Sequence, residues 1–215
     1  MSIYENLLNE RKNGVQNGLY HYIQIIFSYN SNKINGNKLS QVQTSQIYEN
    51  NSFGINSAQI IKVNDILDIK SHFLAFDFIL DNVDILDTKF IKEVYKKLRY
   101  FDDEICSCQE STKDLLNELV FEYNAKKNIN LNDIIEFYYK FQCIKPYFKD
   151  SGRLGRLLMF KECLRAGITP FIIDEENMTT YLQALADFEC KKFELIDTCM
   201  ILQEEFAKVA EKFQS

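Results

Sequence analysis

Arg153 and Arg156 stand one helical turn apart, just behind the Ser151-Gly152 turn in "KPYFKDSGRLGRLL" (residues 145–158). Residue types at this spacing can hold an anion. A helix N-terminus carries unpaired backbone N–H groups and a partial positive charge. A glycine in the preceding turn lets those groups point at a phosphate. Two guanidinium groups on one face then fork onto its oxygens. Leu154, Leu157, Leu158 and Leu164 are expected to bury the opposite face of the helix. The spacing alone leaves a second reading open, in which both arginines pair with acidic residues of neighbouring helices.

The elements that must position this turn are helical. Leu131, Ile134, Ile135 and Tyr138 define a helix capped by Asn130 or Asn132 and running to about Cys143, which Pro146 ends. The next helix begins near Gly152 and stops at Gly167. These two are expected to form an antiparallel central pair with the Pro146 turn at one end. Upstream, residues 17–30 place Leu19, Tyr22, Ile23, Ile26 and Phe27 on one face, and "SNKINGNKLS" (31–40) breaks that helix. Further helices are predicted from Ser40 to Glu49, from 58 to 80, from 88 to 100 and from 111 to 127. "ITPFIID" (168–174) reads as extended, and residues 176–213 as a helical region broken near Lys191-Lys192.

Composition agrees with an all-α domain: 46% of the 215 residues are hydrophobic and only 7 Gly and 2 Pro interrupt them. The net charge of -6 and the lack of a basic stripe argue against a nucleic-acid partner. No apolar run is long enough for a membrane span, and "MSIYENLLNERKNG" has no signal-peptide character. The six cysteines contain no CxxC pair and read as buried free thiols of a cytoplasmic protein. Cys106 and Cys108 would need two further ligands to hold zinc, and the chain has only two histidines.

The turn resembles the core motif of the Fic (Fido) family, His-Pro-Phe-x-Asp/Glu-Gly-Asn-Gly-Arg-x-x-Arg. Here the aligned residues are Lys145, Pro146, Tyr147, Phe148, Lys149, Asp150, Ser151, Gly152, Arg153, Leu154, Gly155 and Arg156. Pro146, the aromatic Tyr147, Gly152, Arg153 and Arg156 match. "LLMFKECLRAGITPFII" and "YLQAL" resemble the segments that follow it. A second match lies upstream: members with an N-terminal inhibitory helix carry Ser/Thr-x-x-x-Glu-Gly/Asn, and Ser31, Asn35 and Gly36 stand in that register, with Asn35 at the Glu position. The resemblance covers roughly residues 17–200. It implies one Fic-type helical domain over 1–215, with the inhibitory-type motif in an N-terminal helical segment, 1–56.

The resemblance also implies a chemistry: ATP bound with Mg²⁺, and AMP transferred to a hydroxyl of a target protein. It assigns the general base to the position of Lys145, phosphate binding to those of Ser151, Gly152 and Arg153, and the inhibitory ion pair to those of Asn35 and Arg156. The departures fall on the reaction. A lysine, with an ordinary pKa of about 10.4, is a poor base for a hydroxyl. Lys149 cannot bind a cation, and Asp150 can replace it only if the turn shifts register by one residue. Asn35 cannot make an ion pair. Residues 100–110, "YFDDEICSCQE", leave room for at most a vestigial target-docking hairpin. The expectation is a nucleotide- or phosphate-binding pseudoenzyme or binding module, with Ser151, Gly152, Arg153 and Arg156 as the binding set. The alternative is an active adenylyltransferase or related nucleotidyl or phosphoryl transferase using Lys145 and Asp150, with a protein as its partner or target.

Overall fold

The computed structural model describes residues 1–54, 59–99, 110–147 and 150–213. These residues form ten helices and no strand. They are α1 (Ile3–Asn13), α2 (Leu19–Ile34), α3 (Gln41–Asn50), α4 (Val63–Asp81), α5 (Thr88–Leu98), α6 (Glu110–Asn124), α7 (Leu131–Ile144), α8 (Ser151–Arg165), α9 (Met178–Ala186) and α10 (Lys192–Glu211). The expected all-α class is what the chain adopts. The segment assigned to a vestigial hairpin, 100–109, lies outside the described residues.

Local chemistry explains most boundaries. Ser40 caps α3 and Asn130 caps α7, each in a reciprocal box with Gln43 or Asp133 three residues on. Asp87 accepts the Phe90 N–H at the start of α5. The helix expected from 58 starts five residues later, at Val63. An additional helix, α1, opens on a Ser2/Glu5 capping box and closes on Gly14, whose φ of 61° is left-handed. Residues 168–174 join α8 to α9 without pairing as a strand.

α7 and α8 run antiparallel: Gln142 donates to the Ser151 carbonyl, and the Gly155 backbone lies against Tyr138 and Gln142. α8 is the central helix, packed on α7, α4, α5 and α2. From Arg153 to Leu164 every residue of it is buried, so the expected division into an apolar face and a free arginine face does not hold. Its charged residues are paired inside the protein. Lys161 Nζ donates to Glu162 Oε1 at 2.7 Å and to the Ile85 carbonyl, and Arg165 Nε donates to Glu162 Oε2 at 2.8 Å. One continuous core joins α8 to residues of α1, α2, α4, α5, α6, α7, α9 and α10. A smaller one, Leu39, Ile47, Ile69 and Phe73, fixes α3 on α4. No helix among the described residues is long and apolar enough to cross a membrane.

The cysteines divide differently from the expectation. Cys163 and Cys199 are buried free thiols, and burial pushes the Cys163 thiol up to about 12. Cys143 and Cys190 are free but exposed. They sit at the end of α7 and after α9, where the chain is at the surface. Cys106 and Cys108 lie outside the described residues.

Candidate functional site

Lys145 ends α7 in the left-handed conformation, φ 46°, and its N–H bonds the Phe141 carbonyl. That reversal sends the chain into Pro146 and Tyr147. The Tyr147 ring stacks on Tyr95 of α5 at 4.0 Å between centroids. Ser151 then clasps the turn: its Oγ donates to the Tyr147 carbonyl at 2.8 Å and accepts the Tyr147 N–H. Asp150 occupies the N-cap position of α8 without capping it, and no hydrogen bond from the Gly152 or Arg153 amide is made among the described residues.

Asp150 is turned instead to the arginines. Its Oδ1 accepts from Nε of Arg153 at 3.1 Å and also from Nη2, and its Oδ2 accepts from Nη1 of Arg99 at 3.3 Å. Arg153 Nη1 donates to Asn32 Oδ1 on α2 and pairs with Asp68 Oδ1 on α4, both at 2.8 Å. A guanidinium 3% exposed thus ties three helices together. Carboxylates of the chain itself answer the charge of Arg153, as the second sequence reading anticipates.

Arg156 is equally buried but differently partnered. Its Nε donates to Ser31 Oγ at 3.1 Å, and its Nη2 donates to the Ser31 carbonyl and to Asn35 Oδ1, each at 2.7 Å. These acceptors are neutral, and no carboxylate is paired with Arg156 among the described residues. A Cβ on Gly152 would come within 3.3 Å of Arg156 Nη1, so the missing side chain leaves the guanidinium open to the start of α8. Beyond it, the hydroxyls of Tyr138 and Tyr181 meet inside the core. His72 of α4 is fully buried near both arginines. Ser28 Oγ lies 2.9 Å from its Nδ1, and its Nε2 is without a hydrogen-bond partner among the described residues. Burial first, then the charges of Arg153 and Arg156, hold its pKa well below the ordinary value, so the ring is neutral.

The residues singled out in the sequence thus fall into two groups. Ser31, Asn35, Gly152 and Arg156 meet at the seam of α2 and α8, and Asp150 and Arg153 lie beside them. Gly36 serves the seam from outside, reversing the chain after α2 at φ 88°. Ser151 is inside the turn but its hydroxyl is committed to Tyr147. Lys145 is exposed, and its ammonium makes no hydrogen bond or ion pair among the described residues, so it does not join the arginines. Lys149 lies outside the described residues. Sequence reasoning missed Asn32, Asp68, Arg99, His72 and Gly155. Asn32 sits inside the quoted Ser31–Asn35 stretch and was within reach. Gly155 reads as an unconstrained position, yet it lets Tyr138 pack on the α8 backbone.

No family model and no curated protein matches the sequence. Solved structures do. A Fic domain containing signalling protein from Bacteroides thetaiotaomicron superposes with a TM-score of 0.77 at 19% identity, over 97% of this chain and 94% of that one. The chain has the Fic fold. A fragment of Fic-1 from C. elegans gives 0.76 at 16% identity, over 95% of this chain and 69% of that one. A Fic family protein from Desulfovibrio desulfuricans gives 0.75 at 14% identity, over 99% and 73%. Here the α8 arginine of the 145–156 stretch and the segment carrying Ser31 and Asn35 are in direct contact.

Proposed function

We propose that this Fic-fold protein binds a phosphate-bearing ligand, a nucleotide such as ATP foremost, without transferring AMP to a hydroxyl. The observation that carries the reading is the buried Arg156, whose partners among the described residues are all neutral. A buried charge without a counter-charge is costly, and an anion placed there offsets that cost. The chemical half of the site has no comparable support. Lys145 is exposed and apart from the arginines. Asp150 is engaged by two guanidinium groups. The adenylyltransferase alternative needs both residues free for other work.

Calorimetric titration with ATP tests the binding half, with Arg156→Met as the control that should lose it. Incubation with ATP labelled in its α-phosphate tests the other half, and no label should appear on the protein or on lysate proteins. Lys145→His alone should not change that result. General-base catalysis supplies about 10²–10⁴-fold, and the charge contacts of the transition state are separate from it. Robust labelling by the natural protein, abolished by Lys145→Ala, would overturn the reading and make Lys145 a catalytic residue.

A further inference from the structure

Resting on the phosphate-binding reading above, we infer that the site takes its phosphate group free of metal, so that Mg²⁺ competes with the protein for the ligand instead of joining it. The residues present do not fit a divalent cation. A hard cation needs several oxygen ligands, usually including carboxylates whose lone pairs are available. In the described part of the turn the only carboxylate is Asp150. Its Oδ1 faces Nε and Nη2 of Arg153 and its Oδ2 faces Nη1 of Arg99. A cation bound to either oxygen would sit within a few ångströms of a guanidinium, and the two like charges would repel.

Another carboxylate beside the turn, Asp68, shares its Oδ1 with the same Arg153. Among the described residues no group of three or more His, Cys, Asp and Glu side chains is arranged to hold a metal ion. The charge that a metal would bring to a phosphate is already supplied by Arg156, which no carboxylate neutralises among the described residues. Mg²⁺ bound to a nucleotide's phosphates removes two units of the negative charge that this arginine would attract. Asp150 then has a positional role: it holds Arg99 and Arg153 in place and keeps their charge from adding to that of Arg156.

The test is calorimetric titration of the full chain with ATP, once in excess EDTA and once in excess MgCl₂. Affinity is expected to be higher in EDTA and to fall by about tenfold in Mg²⁺. The Asp150→Asn variant should keep that preference, because the aspartate is not a metal ligand. Equal affinity in the two buffers, or tighter binding in Mg²⁺, overturns the inference. The second result would implicate Asp150 directly if the gain disappeared in Asp150→Asn. The natural chain decides the matter alone if that variant does not fold. Absence of binding in both buffers is a different failure, because it removes the phosphate-binding reading itself.

Discussion

Arg156 Nη2 donates to Asn35 Oδ1 across 2.7 Å, from the first turns of α8 to the residue that caps the end of α2. The contact joins the two stretches that the sequence singles out, which are 121 residues apart. It pairs a buried cation with a neutral amide. Among the described residues no carboxylate faces the same guanidinium.

Asn35→Asp keeps the shape of the side chain and adds the missing charge. A hydrogen bond to a charged group contributes about 1.5–3 kcal/mol. Against this, a carboxylate at the C-terminal end of α2 is disfavoured by about 0.3–1 kcal/mol. The first effect is the larger, so the midpoint of urea unfolding should rise, by an amount equivalent to roughly 1 kcal/mol. Calorimetry should show weaker ATP binding by the same variant, because Arg156 is then neutralised. A lower midpoint would mean that Arg156 has a counter-charge already.

His72 sets a pH dependence. Its folded-state pKa lies well below the ordinary value, through burial and then through Arg153 and Arg156. Above about pH 6.5 both folded and unfolded chains carry the neutral ring, and it contributes no slope. As pH falls below that value the unfolded chain takes up a proton and the folded chain does not. Stability is therefore lost on acidification, by up to about 1.4 kcal/mol per pH unit from this group. Denaturant titrations between pH 7 and pH 5 should show the decline, and His72→Gln should flatten it. An unchanged slope in that variant would assign the decline to other groups.

What the sequence made legible was mostly local. The caps of α3 and α7, the break at Pro146 and the glycine after α8 follow from residues within a few positions of each boundary. The capping box of α1 lies in Ser2 and Glu5, but the mixed polarity of residues 1–14 gives that helix no clear apolar period. The surroundings of the site were less accessible for a physical reason. Arg153, Arg156, Lys161 and Glu162 look like the solvated face of an amphipathic helix, and nothing local says that α2, α4 and α5 cover that face. Asp68 and Arg99 reach Asp150 and Arg153 only through tertiary packing. Asn35 facing Arg156 was foreseeable from the family resemblance, not from periodicity.

Gly155 offers a test of the central pair. In an exposed helix interior, Gly→Ala gains about 1 kcal/mol of helix propensity. Here the added Cβ would lie 2.8 Å from Tyr138 Cε2 and would also meet the Gln142 amide. Tyr138 is held by the core and by the Tyr181 hydroxyl, so it has little room to yield. Overpacking of this kind costs about 1–3 kcal/mol, which exceeds the propensity gain. Gly155→Ala should therefore lower the unfolding midpoint. A rise would show that α7 and α8 are not in such close contact.

Lys145 separates a structural role from a catalytic one most simply. Its φ of 46° is left-handed, a conformation that costs a residue with a Cβ about 1–2 kcal/mol. Its side chain is exposed and makes no hydrogen bond or ion pair among the described residues, so little stability should come from the ammonium. Lys145→Ala, which keeps the Cβ, should change stability by less than about 0.5 kcal/mol. Lys145→Gly relieves the strain but frees the unfolded chain, and the balance should be a stabilisation of about 0.5–1 kcal/mol. If position 145 serves only to end α7, both variants should also bind ATP as the natural protein does. Urea unfolding and calorimetry on the two variants check each part. A marked loss of stability in Lys145→Ala would reveal a contact for the ammonium. A loss of ATP affinity in both variants with stability intact would bring Lys145 back into the binding site.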